Sequence, residues 1–181
     1  MSALNLENEK VVTVDDICNL PDGQRAELID GTVYDMASPS WKHQRLITFL
    51  TFEIENHIRN NNEKCEVLPA PFAVFLNNDK DYLEPDISVI CDPSRLDDKG
   101  CHGAPDWVVE IVSPSTSSRD YMVKLFKYKN TGVREYWVVD PSSKVVTVYN
   151  FENDNVRQYK FGDDVPAGIY EGFYIKIPAD I

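Results

Sequence analysis

With 181 residues, 43% hydrophobic and 11% aromatic, the chain is long enough for one domain with a real core, and its composition is neither disordered nor membrane-spanning. No apolar run approaches the roughly twenty residues that a spanning helix needs. A net charge of −12 opposes unassisted binding to nucleic acid, so such binding requires a local basic patch.

The first ten residues, MSALNLENEK, lack a basic stretch followed by an apolar one, so the expectation is a cytoplasmic protein. Thr13 is placed to cap a short helix that runs through Leu20 and ends at Pro21-Asp22-Gly23. In AELIDGTVYDM, two apolar-rich segments flank Asp30-Gly31, a strong hairpin signal. After Ser38-Pro39-Ser40 a long helix is predicted to about Asn60, with Leu46, Ile47, Leu50, Ile54 and Ile58 on one face.

Strand-like runs follow at Glu66 to Leu68, Phe72 to Leu76, Asp86 to Cys91 and Trp107 to Val112. A second helix is predicted from about Ser118 to Asn130, closed by Gly132, with an apolar stripe of Tyr121, Met122, Leu125, Phe126 and Tyr128. REYWVVD and KVVTVYNF read as strands joined at Pro141-Ser142-Ser143, then a hairpin through Glu152 to Asn155 and a last strand near Tyr174 to Ile177. The pattern predicts one α+β, or mixed α/β, layered domain over residues 1–181.

Cys18, Cys65, Cys91 and Cys101 are widely spaced with no C-x-x-C pair, so they read as reduced thiols. Cys101-His102 with Cys91 upstream falls short of a zinc ligand set. Arg119, Lys124, Lys127, Lys129 and Arg134 form the one basic patch, which is either a solvated helix face or a surface for DNA phosphates.

The chemistry centres on APDWVVEIVSPS, where Glu110 stands in an otherwise apolar strand. Val108, Glu110 and Val112 share one face, and an unpaired carboxylate there is costly to ionise. If Asp86–Cys91 and Trp107–Val112 pair antiparallel about residue 98, Asp86 falls directly opposite Glu110, with Cβ atoms about 5 Å apart. Two carboxylates at that distance repel unless a cation stands between them, and a divalent metal satisfies both. Asp106 is about 13 Å along the strand from Glu110 and reads as a strand-entry residue.

Lys124, at the edge of the following helix, is the candidate cation, although Asp120 four residues before it offers a purely structural partner. Glu27 in the first hairpin is an auxiliary candidate against the alternative of a solvated strand residue. His43 is another, against the alternative of a satisfied core histidine. The serines of SPSTSS lack a nearby histidine base and fit loop and cap roles.

These residues also resemble a family. EPD at Glu84 to Asp86, PDWVVEIVSPSTSSRD, MVKLFKYKNTGVREYWVVDP, and upstream ELIDGTVYDM and HQRLITFL are similar to an endonuclease family abundant in cyanobacteria, within the restriction-endonuclease-like PD-(D/E)xK superfamily. The resemblance implies a mixed β-sheet flanked by helices, with an additional antiparallel hairpin region, and a magnesium- or manganese-dependent endonuclease acting on DNA. It implies Asp86, Glu110 and the backbone carbonyl of Ile111 as metal ligands. Val112 stands where that pattern has its lysine, and the resemblance maps the lysine onto Lys124. The basic helix would then face the DNA backbone, and dimerisation is an expectation for such folds. Two rivals remain: a catalytically inactive nuclease-fold module for binding or regulation, and a glycosidase using Asp86 and Glu110 as its acid and nucleophile.

Overall fold

In the computed structural model, which describes residues 11–113 and 119–181, each early element forms where local chemistry favours it. Thr13 Oγ1 accepts from the Asp16 amide at 3.3 Å while the Thr13 amide donates to Asp16 at 2.9 Å, a capping box that starts α1, Val14–Cys18. Strands β1, Ala26–Ile29, and β2, Thr32–Asp35, pair antiparallel with Ile29 opposite Thr32. Asp30 and Gly31 join them with φ of 50° and 77°, the two-residue turn that an Asp-Gly pair favours. Ser40 caps α2, Trp41–Asn61, and its buried residues are the five apolar ones that the helical spacing picks out.

Next come β3, Glu66–Pro69, β4, Val74–Leu76, β5, Asp81–Leu83, and β6, Ile87–Ile90. Short β7, Leu96–Asp97, and β8, Gly100–His102, precede the fully buried β9, Trp107–Ile111. A π-helical turn, Arg119–Lys124, leads into α3, Leu125–Thr131, which Gly132 closes. Strands β10, Glu135–Asp140, β11, Val145–Asn150, β12, Asn155–Lys160, β13, Val165–Pro166, and β14, Tyr174–Ile175, complete the order. The predicted start of the second helix at Ser118, the serines of residues 115–118 and the leader reading of residues 1–10 fall outside the described residues.

The strands form two six-stranded sheets, β2-β1-β5-β4-β8-β7 and β12-β11-β10-β9-β6-β3, plus the β13–β14 hairpin. Both large sheets are mixed: β4 pairs parallel to β8 and β9 parallel to β10, among antiparallel neighbours. One face of β9 places Trp107, Val109 and Ile111 in a core shared with α2 and the C-terminal segment. Its other face places Val108, with Val112 just beyond, in a second core with Val74, Leu76 and Leu83 of the first sheet and Tyr128 of α3. Glu110 alternates with Val108 and Val112, so it points into the space between the sheet and α3.

The β6–β9 register sets Ile87 opposite Val109, so one step further it sets Asp86 against Glu110, as the turn-centred pairing predicts. The connection between them is more than a turn, because β7 and β8 form their own hairpin and join the other sheet.

Three expectations are corrected here. Cys65 and Cys91 are joined in a disulfide, leaving Cys18 and Cys101 free. The β3–β6 register explains it: Glu66 lies opposite Ile90, which brings the flanking Cys65 and Cys91 together across 26 residues of sequence. The predicted stripe on the second helix holds only in part: Tyr121, Leu125 and Tyr128 pack on the second core, but Met122 and Phe126 are 60% and 64% exposed while Asp120, Lys124 and Lys127 are buried. Residues 120, 124 and 128, four apart, form the buried row that runs from the π turn into α3. Finally, the basic patch is charge-paired and only partly exposed. Lys127 is 2.8 Å from buried Asp81, Lys129 is 2.7 Å from Asp154, and Arg134 is shared between Glu152 and Asp106.

His102 of the dismissed zinc fragment lies 3.2 Å from both Asp79 and Asp97, and the described residues hold no metal-binding cluster of three or more Asp, Glu, His or Cys. No helix among them is long and apolar enough to cross a membrane.

Far from these, buried Glu135 ties the C-terminal segment to the sheet. It accepts from Trp137 Nε1 at 2.6 Å and Asn150 Nδ2 at 3.4 Å, and burial pushes its pKa up to about 7. A Cβ at Gly168 would come within 2.4 Å of both Glu135 Oε2 and Asn150 Nδ2. Gly168→Ala is therefore expected to destabilise the protein by about 1–3 kcal/mol, read as a lower urea midpoint at unchanged slope.

Candidate active site

Glu110 leaves β9 into a nearly closed space, 4% exposed, and its Oε1 accepts from Lys124 Nζ at 2.7 Å and from Tyr128 Oη at 2.8 Å. Lys124 itself is 2% exposed. Its ammonium also lies 2.9 Å from Glu27 Oε1 and 3.7 Å from Asp120 Oδ1. The snorkelling edge lysine read from the helical period is instead the centre of a ring of three carboxylates. Glu27, the auxiliary candidate with a solvated strand residue as its alternative, is fully buried, and its Oε1 also accepts the Glu84 amide at 3.1 Å. Its Oε2 has no hydrogen bond among the described residues, with Arg119 Nη1 3.8 Å away.

Asp86 stands at the mouth of the β6–β9 pair. Its Oδ2 accepts the Ile111 amide at 2.7 Å, which anchors it to the residue after Glu110, and lies 3.1 Å from His43 Nε2. His43 reaches it from the first turn of α2, where Ser40 Oγ accepts the His43 amide at 3.3 Å and fixes the helix start. Asp86, Glu110, Ile111, His43 and Lys124 all line one cavity of about 800 Å³, with Glu27 behind Lys124. The sequence-derived candidates thus meet at one place. Val112, in the position of the missing lysine, is a buried apolar residue of the second core.

The charges within the cluster move one another. Burial pushes the Glu110 pKa up, Lys124 opposes that, and Asp120, Asp86 and Glu27 add to it; the net direction is well above the ordinary carboxylate value. Burial alone would lower Lys124, but Glu110, Glu27 and Asp120 overcome it, so the amine is held as an ammonium. The same contest at His43 is decided upward by the hydrogen bond and charge of Asp86, helped by the Ile111 carbonyl. Acidic groups outnumber cations here, and the site is deficient in positive charge.

At the rim, Arg25 pairs with Glu84, its Nε 3.0 Å from Oε2, while Tyr82 Oη donates to Glu84 Oε1 at 2.8 Å. Arg119 lies over the Tyr34 ring, 5.3 Å from its centroid. Sequence reasoning missed Tyr128 and Arg119 as members of this site. The available signal was the recurrence of polar Asp120, Lys124 and Tyr128 every fourth residue, a row that a solvated or apolar helix face would not need to keep.

The model of a family named Uma2, described as putative restriction endonuclease, matches residues 13–175. The uncharacterized protein slr1290 of Synechocystis sp. is 29% identical over 132 residues, spanning 72% of this chain and 68% of that protein. The crystal structure of a putative nuclease belonging to DUF820 from Anabaena variabilis superposes with a TM-score of 0.75 at 20% identity, covering 91% of this chain and 94% of that one. At that identity the likeness speaks for the fold.

Proposed function

The chain belongs to the Uma2 family of putative restriction endonucleases, and from that membership and the cavity's chemistry we propose a divalent-metal-dependent nuclease that hydrolyses phosphodiester bonds in DNA. One observation carries the reading most: Asp86 is hydrogen-bonded to the backbone at Ile111, and Glu110 next to it is hydrogen-bonded by a buried lysine ammonium in the same cavity. We read the whole chain as one domain, because α3 and strands of both sheets build the second core.

The donor set suits a hard cation. Asp86 Oδ1 and Glu110 Oε2 accept no hydrogen bond among the described residues, and with the Ile111 carbonyl they offer three oxygens. Two carboxylates are what magnesium commonly takes from a protein, keeping water and substrate phosphate for its other positions. Held there, magnesium or manganese would activate water and neutralise charge on the phosphate.

The protein's own groups have separate tasks in this reading. His43 and the Ile111 amide fix the rotamer of Asp86. Tyr128 and Lys124 fix Glu110 by the same oxygen, which leaves the other toward the cavity. As an ammonium, Lys124 acts as a donor and a positive charge that stabilises the pentavalent phosphate, rather than as a base. Glu27 and Asp120 hold Lys124 in place.

A second reading, the catalytically inactive binding or regulatory module, is favoured by His43 and Lys124 already occupying one oxygen of each carboxylate. The deciding experiment incubates purified protein with supercoiled plasmid and with circular single-stranded DNA in magnesium or manganese. Cleavage that EDTA suppresses is the expected result; intact DNA under both metals would leave only the binding module.

A further inference from the structure

The cavity mouth is unusually poor in free cations. Of the lining lysines and arginines, Arg25 is committed to Glu84, Arg119 faces Glu27 and Asp120, and Lys124 is enclosed by carboxylates. His43 is committed to Asp86. Only Lys42, exposed on the first turn of α2, lines the cavity with no carboxylate partner among the described residues. Its ammonium stands 5.8 Å from the ring centroid of Trp41.

Trp41 is the second anomaly. Of the three tryptophans, Trp107 and Trp137 are fully buried, whereas Trp41 is 66% exposed beside the cavity-lining Ser40 and Lys42. An indole left in water next to an uncommitted ammonium is a surface that suits a nucleotide: the ring offers a face for a base, and the ammonium a partner for its phosphate.

Duplex DNA is bound mainly through many phosphate contacts, commonly about six to ten, each needing a cation. The described mouth supplies one, on a chain whose net charge is −12. A single strand is different, because its unpaired bases stack on aromatic rings and that part of the affinity needs no positive charge. We propose that the substrate enters the cavity as a single strand of DNA, with a base stacked on Trp41 and the adjoining phosphate on Lys42. This inference rests on the nuclease reading for the identity of the polymer, and it adds the form of the substrate.

The full chain is titrated with an oligothymidylate of about ten nucleotides and with a duplex of equal length, in calcium so that cleavage does not intervene. Quenching of tryptophan emission by a bound strand reports on Trp41, since the other two indoles are buried out of its reach and contribute a constant background. The expected result is quenching by the single strand and weaker binding of the duplex. The logarithm of affinity should fall with the logarithm of salt at a slope of about −1, as for one or two phosphates. Trp41→Ala should weaken binding about ten-fold, and Trp41→Phe should restore it while the emission no longer responds.

Duplex binding as tight as the single strand, a salt slope of about −4 or steeper, or unchanged affinity in Trp41→Ala would each overturn the inference. Duplex cleavage without single-strand binding would do so while leaving the nuclease reading intact. Strand binding without cleavage of any DNA would uphold it and overturn the hydrolytic reading.

Discussion

Lys124→Met is expected to abolish DNA cleavage and to lower stability by about 3–5 kcal/mol, the cost of leaving buried charge without its partner. The ammonium is within 4 Å of Glu27, Glu110 and Asp120, and all four side chains are nearly excluded from water. Methionine fills much of the same volume, so the loss is electrostatic rather than a cavity effect. Because a collapsed fold would also be inactive, the decisive companion is Lys124→Met with Glu27→Gln. Removing one unbalanced carboxylate is expected to recover part of the lost stability in urea unfolding, with cleavage still absent. Recovery of cleavage along with stability would show that Lys124 serves only the fold.

Glu110→Gln and Asp86→Asn are expected to behave oppositely: each loses about 10²–10³-fold or more in cleavage rate, on the scale of losing a preorganised charge-stabilising group, at little cost in stability. A glutamine oxygen in place of Glu110 Oε1 accepts the same bonds from Lys124 and Tyr128, and an asparagine oxygen in place of Asp86 Oδ2 accepts those from His43 and Ile111. Burial already pushes Glu110 toward its neutral form, so neutralising it costs the fold little. If both carboxylates serve one ion, the double variant is no slower than the worse single one. Losses that multiply would mean that the two act independently, and full activity in either variant would remove it from the site.

Local and nearest-neighbour chemistry was legible in the sequence. The Thr13 cap, the Asp30-Gly31 turn, the five buried residues of α2 and the alternation along β9 all depend on residues a few positions apart. The Asp86–Glu110 register was legible for a similar reason, since a single assumed turn centre fixes it. What failed required knowledge of a third element. Glu27 on β1 reads as either an auxiliary or a solvated residue until Lys124 arrives from a segment far along the chain. Cys65 and Cys91 look unrelated until β3 is known to flank β6. The stripe on the second helix was legible only in part: Tyr121, Leu125 and Tyr128 pack on the core, while their neighbours Met122 and Phe126 face outward.

The ring around Lys124 has a further consequence, in the order of events during folding. Glu110 on β9 and Lys124 in the turn before α3 are 14 residues apart, but Glu27 on β1 is far from both in sequence, so the ring is complete only after a long loop closes. If the ion pairs of Lys124 form after the folding barrier, Lys124→Met should raise the unfolding rate and leave the folding rate unchanged in a chevron plot. Interactions made that late slow unfolding without hastening folding. The buried cluster would then act as a latch, lengthening the life of the native state more than it speeds its formation.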